Sequence, residues 1–167
     1  MTSRDNFRAW FAAQIEKLAP DRNAGFVIAM ISFPLLERYL RQQTQAVPKS
    51  PTFAAGLLKV LPELGTTKAA EPFWRIYRHG LLHNVTMSQE SHGLTHDTAI
   101  VAIEDNGKVW LNPVLFAQRV LTIIEADFET FERGRPLPTV VAYGTAPEPQ
   151  GYSTIYLGTS TPPGQGR

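Results

Sequence analysis

The run Trp74-Arg75-Ile76-Tyr77-Arg78-His79-Gly80-Leu81-Leu82-His83-Asn84 sets two guanidiniums, two imidazoles and an amide beside an aromatic stripe. An imidazole titrates near neutrality, so it can take a proton or give one. A guanidinium can hold two phosphate oxygens and stabilise negative charge that builds on them. Arg75, His79 and His83 are spaced four apart and form one polar row on a helix. Arg78 and His83 are five apart, which in a regular α-helix rotates one from the other by about 140°. To act together they must converge at a cleft edge, at the helix end, or across a dimer axis.

The Arg-x4-His spacing from Arg78 to His83, with the Gly80-Leu81-Leu82-His83-Asn84 run, resembles the Arg-x4–6-His signature of the HEPN superfamily (higher eukaryotes and prokaryotes nucleotide-binding domains). The close match covers the residues from Trp74 to Asn84, and beyond it the likeness is one of helix number and order. The resemblance implies an up-and-down bundle of four or five helices with the motif late in the bundle. It also implies a homodimer in which two motif helices share a cleft, and RNA or nucleotide as ligand. Many members are metal-independent endoribonucleases, which implies no cofactor here. Attack by a ribose 2′-OH on the adjacent phosphate needs a base and an acid, and charge stabilisation at the phosphorus. On this resemblance Arg78 holds phosphate and His83 is the general acid/base, with Arg75, His79 and Asn84 in support. Such families often add a polar or acidic residue from the second helix. Glu37 is the candidate here, with Arg38 and Arg41 beside it. A protein partner that restrains the activity, as an antitoxin would, belongs to the same expectation.

Each of these residues also has a plainer reading. Arg78 sits at the margin of an apolar stripe, where a salt bridge to Glu37 or another bundle carboxylate would explain it without catalysis. His83 can be satisfied by a backbone carbonyl, and Asn84 can help to cap the helix. Gly80 costs about 1 kcal/mol relative to alanine in mid-helix, which suggests close approach of another helix or a ligand. The chain is then a non-catalytic helical interaction module, for dimerisation or partner binding. A third reading pairs His79-x3-His83 with His92-x3-His96 as a metal site, with Asp97 or Glu90 as oxygen ligands. Against it, the sequence lacks the Glu of a His-Glu-x-x-His arrangement, and the second pair falls in an expected loop. A phosphate-cradling glycine loop, a Gly-x-Ser-x-Gly elbow and a dinucleotide fingerprint are all absent.

The elements that would position this chemistry follow from periodicity. Phe7, Trp10, Phe11, Ile15 and Leu18 predict an amphipathic helix over residues 4–18. Residues 24–43, apolar on nearly all sides at first and charged at the end, predict a central helix kinked at Pro34. Ser50 as N-cap and Pro51 at the first position open a short third helix through Phe53, Leu57, Val60 and Leu61, closed by Pro62 and Gly65. Phe73, Trp74, Tyr77, Leu81 and Val85 predict the fourth helix, over 70–86. Residues 88–96 read as a loop. Around Asp105-Asn106-Gly107 the segments 98–103 and 108–111 alternate, with Val101, Ile103, Val109 and Leu111 on one side, which predicts a β-hairpin over 98–111. Asn112 and Pro113 open the last long helix, whose stripe is Phe116, Val120, Ile123, Ile124, Phe128 and Phe131.

The expected fold is therefore all-α, mainly helical: about five helices over residues 1–134 with one inserted hairpin. Residues 135–167, rich in proline and glycine, predict an irregular tail. Within it 139–143 and 153–157 read as short extended segments, and 159–167 as disordered. With 167 residues, 43% of them hydrophobic and 19% charged, the chain has an ordinary globular balance. The absence of cysteine excludes disulfides, thiolate metal sites and cysteine nucleophiles. Sixteen basic and fifteen acidic residues give a net charge of +1, which excludes a general nucleic-acid coat protein and confines any nucleic-acid contact to a local cluster. The apolar run 24–36 is broken by Ser32 and Pro34 and is too short to span a bilayer. No membrane association is expected, and the first residues do not read as a secretory signal, so the expected location is cytoplasmic.

Overall fold

The computed structural model describes residues 2–84, 92–134 and 137, and of His83, Asn84 and His92 the backbone alone. It is mainly helical with one small three-stranded sheet. The first helical run comprises α1 (Ser3–Phe7), a π-helical turn (Arg8–Ala12) and α2 (Ala13–Leu18). Thr2 caps it through a reciprocal bond with Asp5. The central helix α3 (Gly25–Thr44) passes Pro34 without ending and stops where Gln45 turns left-handed at φ +53°. Pro34 is exposed, so its ring meets solvent rather than the core.

Two helix starts match their local chemistry. In α4 (Pro51–Val60) the Ser50 hydroxyl accepts from the Phe53 amide at 3.2 Å, and Pro51 fills the first position. In α6 (Pro113–Ala126) the Asn112 side chain accepts from Val114 and Leu115, each at 3.0 Å. The expected last helix is two: Asp127 leaves helical geometry at φ −132°, ψ 54°, and α7 (Phe128–Glu132) follows. The turn lets Phe128 and Phe131 both reach Phe7, at ring distances of 5.6 and 5.3 Å.

The fourth helix starts earlier than its apolar stripe, at Thr67. It is α-helical over α5 (Thr67–Trp74) and π-helical over Arg75–Asn84. Pro72 lies inside α5, beyond the first turn, and removes one donor from the ladder just before the register widens. Residues 85 and 86, expected to finish this helix, lie outside the described residues.

The sheet is also larger than the expected hairpin. Strands β2 (Val101–Ile103) and β3 (Val109–Leu111) pair antiparallel. β1 (His92–Leu94), expected as loop, pairs parallel with β3, giving the order β1-β3-β2. Residues 98–100 are not strand: the Asn112 amide donates to the Ile100 carbonyl, so the pairing runs out into the cap of α6. In the turn only Gly107 takes positive φ, +81°, and the Gly107 amide donates to the Glu104 carbonyl at 2.8 Å. Val101, Val109 and Leu111 are buried as expected, but Ile103, at the free end of β2, is 44% exposed.

Phe33 of α3 is the meeting point of the core. Its ring lies 4.6 Å from Phe116 on α6, 5.7 Å from Trp74 and 6.0 Å from Phe73 on α5, and 6.1 Å from Tyr77. Burying such rings is worth about 1.5–3 kcal/mol each. Tyr77 then ties helix to sheet: its hydroxyl lies 2.9 Å from the Gly93 carbonyl and 2.8 Å from the Val109 carbonyl, which share its one proton. Burial pushes the Tyr77 phenol far above its ordinary value, so it remains a donor. Leu137 packs on the core, and its amide donates to the Ser3 hydroxyl. The expected extended segments and disordered end at residues 138–167 lie outside the described residues. No helix among the described residues is long and apolar enough to cross a membrane.

Candidate functional site

Glu37 lies on α3, one turn after Pro34, and faces the π-helical segment. The Arg78 Nε donates to the Glu37 Oε2 at 2.6 Å, and the Arg41 guanidinium approaches the Glu37 Oε1 at 3.5 Å. The Glu37 side chain is 12% exposed and Arg78 23%, while Arg41 is 54% exposed. The inner contact is thus a short, largely desolvated ion pair, and the outer one is a loose surface pair. The neighbouring Arg38 binds α7. Its Nε donates to the Phe131 carbonyl at 3.0 Å and its guanidinium lies 4.5 Å from the Phe131 ring, which fastens α3 to α7.

The Arg78–Glu37 pair forms a ridge between two grooves. One, of about 510 Å³, is lined by Glu37, Val47, Pro48, Lys49, Glu71, Trp74, Arg75, Arg78 and His79. The other, of about 440 Å³, is lined by Pro34, Glu37, Arg38, Arg41, Gln42 and Arg78. Arg75 and His79 are exposed on the first groove's wall. Trp74 backs it from the core, in edge-on contact with Phe53 at 5.0 Å. The Trp74 indole nitrogen is buried and has no hydrogen-bond partner among the described residues. An orphaned buried donor costs about 1–3 kcal/mol.

The structure therefore brings Arg75, Arg78, His79 and Glu37 to one place. It places the backbone of His83 and Asn84 at the end of the same helical segment, and their side chains lie outside the described residues. The wider register matters for the motif. Hydrogen bonds from residue i to i+5 widen the turn and reduce the rotation between positions five apart. The 78 and 83 positions therefore lie closer to one side of the axis than the 140° or so that a regular α-helix would put between them.

The plain reading of Arg78 as a partner of Glu37 is realised in the 2.6 Å bond. The second histidine pair fares differently from its expectation: His92 belongs to β1, not to a loop, and the exposed His96 sets its Nε2 3.2 Å from the Arg22 carbonyl. Among the described residues no group of three or more metal-ligating side chains comes together. The side chains of His83 and His92, and Glu90 entirely, lie outside those residues.

Lys49 and Glu71 were not singled out by sequence reasoning, nor was Trp74 as anything but core. Lys49 belongs to a proline-flanked linker whose composition signals only a connection. The one available cue was the Pro48-Lys49-Ser50-Pro51 spelling, which fixes an extended entry into α4. No family model matches the sequence, and neither a curated protein nor a solved structure matches it.

Proposed function

We propose that the chain binds RNA or a nucleotide at the groove beside the Arg78–Glu37 ridge, and that Arg78 and His83 make it a metal-independent endoribonuclease. The observation that carries the reading is the groove wall. Arg75, Arg78, His79 and Lys49 line it beside the apolar Val47, Pro48 and Trp74, with Glu37 and Glu71 as its carboxylates. Guanidiniums suit phosphate oxygens, and an apolar floor suits the face of a base. The role of His83 rests on the resemblance of the motif to the HEPN signature and on the wide helical register. The proposal extends to a homodimer whose two motif segments share the cleft.

The test is incubation of a mixed RNA pool with the folded chain in EDTA, beside Arg78→Lys and His83→Ala. The expected outcome is cleavage leaving 2′,3′-cyclic ends, reduced by at least about 100-fold in both variants. Variants that keep wild-type helicity and cleave as well as the wild type would remove the catalytic assignment.

A second reading has its own support. The short Arg78–Glu37 bond satisfies both charges inside the fold, as a non-catalytic interaction module would require. On that reading the wild type leaves RNA intact, and Arg78→Lys alters stability alone.

A further inference from the structure

We propose that Asn106 is a site of spontaneous chemical modification in the folded chain, where its side-chain amide becomes a carboxyl through a cyclic imide formed with the Gly107 nitrogen. The inference stands on the hairpin turn and is independent of what the groove binds.

Cyclisation needs a main-chain nitrogen on the following residue that can lose its proton and reach the side-chain carbon. Of the five asparagines, Asn106 alone precedes a glycine. Asn112 precedes Pro113, whose nitrogen has no proton to lose. Asn6 and Asn84 precede phenylalanine and valine, bulkier residues that hinder the attacking nitrogen. Asn23 precedes Ala24, whose amide donates to the Asp21 carbonyl at 3.0 Å within a 3-10 turn.

The turn between β2 and β3 brings the reacting atoms together. The Lys108 amide donates to the Asn106 Oδ1 at 2.8 Å, which folds the side chain forward over the Gly107 peptide. The same N–H points at the oxygen on which negative charge gathers as the nitrogen attacks. The Asn106 Nδ2 donates to the Glu104 Oε2 at 2.9 Å, which orients the amide that must leave. Gly107 is exposed at φ +81°, and nothing lies within 4 Å of the place a Cβ would take. The left-handed turn demands glycine, and glycine is also the residue that shields its nitrogen least. One bond has to open first, from the Gly107 amide to the Glu104 carbonyl at 2.8 Å. It lies at an exposed hairpin tip, where local opening is easy.

In the reaction the Gly107 nitrogen gives its proton to a solvent base and bonds the Asn106 Cγ. The Cγ–Nδ2 bond breaks, Nδ2 takes a proton, and ammonia leaves. Water then opens the imide. Hydrolysis of the new Cγ–N bond leaves aspartate. Hydrolysis between the residue's main-chain carbonyl carbon and the Gly107 nitrogen leaves isoaspartate, whose chain runs through the former side chain. Water enters, ammonia leaves, and nothing is oxidised or reduced. Either product sets a carboxylate where an amide had donated to Glu104, so like charges meet. Isoaspartate also lengthens the main chain of a turn closed by two 2.8 Å bonds between Glu104 and Lys108 and between Gly107 and Glu104. Glu104 holds the Trp110 indole at 2.6 Å, and that ring covers Gly93 of β1, so the change reaches the sheet.

The test is incubation of the full chain at mildly alkaline pH, with conversion of amide to acid followed at each asparagine by peptide mass spectrometry. Asn106 should convert at least about tenfold faster than Asn23, the other exposed asparagine among the described residues, with isoaspartate among the products. Asn106→Gln, which would have to close a larger ring, should stay unmodified. The aged form, once separated, should melt about 2–4 °C lower, and Asn106→Asp, with the charge but not the longer chain, should fall by less. Conversion seen only after unfolding in urea would show that the closed turn shields the nitrogen, and would overturn the site. Equal conversion at Asn23 and Asn106 would overturn its selectivity. An aged form that melts with the unaged one would overturn the link from turn to sheet.

Discussion

Glu37 receives two guanidiniums on opposite oxygens, at 2.6 Å from Arg78 and 3.5 Å from Arg41. Exposed pairs at i,i+4 contribute about 0.3–0.5 kcal/mol, whereas a pair shielded from water loses more when one partner is removed. A double-mutant cycle should therefore give a coupling of about 1–2 kcal/mol for Arg78–Glu37, and no more than about 0.5 for Arg41–Glu37. Urea denaturation of the two cycles measures this, and equal couplings would contradict the desolvated geometry. Both partners were visible in the sequence as candidates, and their salt bridge was one of the two readings it offered for Arg78. Arg78 came from a motif and Glu37 from its place on the second helix. Neither spacing nor composition contains the 2.6 Å bond, because the residues are 41 positions apart and meet only when α3 packs on the π-helical segment.

At the scale of elements, the sheet depends on a residue with no side chain. A Cβ built on Gly93 would run into the ring of Trp110 on β3, whose indole nitrogen is itself fixed by a 2.6 Å bond to Glu104. Gly93→Ala must therefore separate β1 from β3 or move the indole, at about 1–3 kcal/mol. A fall in thermal midpoint with a changed Trp110 environment is expected, and an unaltered midpoint would show that the strand yields without strain. Local chemistry made the caps at Ser50 and Asn112 legible, since each bond spans only two or three residues. β1 was illegible because its pairing is supplied by β3, and His92-Gly93-Leu94 carries no alternation or β-branched signal. The widened register after Pro72 was illegible for another reason. Tyr77 and Leu81 are buried in it, as a regular helix would also have them. The groove was the least legible feature, because the linker carrying Lys49 meets Arg75 and Arg78 only in three dimensions.

At the scale of the molecule, ion pairs among the described residues join stretches far apart in sequence. Arg8 donates to both carboxylate oxygens of Glu125 on α6, at 2.7 and 2.9 Å, and Arg119 clasps Glu63 and the Val60 carbonyl. The Arg8 hydrogen bonds hold the Glu125 carboxyl below its ordinary value of 4.5. The unfolded chain thus takes up this proton before the folded one does. The stabilisation is present above the ordinary carboxyl value and is lost as pH falls through the lowered one. Arg8→Ala should make stability less dependent on pH in the acid range, as read from urea midpoints between neutrality and pH 3. A parallel acid limb in the variant would detach this pair from the acid response.

The Tyr77 hydroxyl and the Gly93 carbonyl are sixteen residues apart in sequence, and the bond between them closes the chain from 77 to 93 into a ring. The whole of Arg78 to Asn84 lies inside it. Joining the ends of a segment that long removes chain entropy worth about 2.5 kcal/mol. The phenol and the β1–β3 ladder make that sacrifice once, during folding. On the proposed function, a ligand reaching the groove would meet a motif tethered at Tyr77 and at β1. A sheet that lines neither groove beside the ridge thereby fixes one end of the segment that carries the motif.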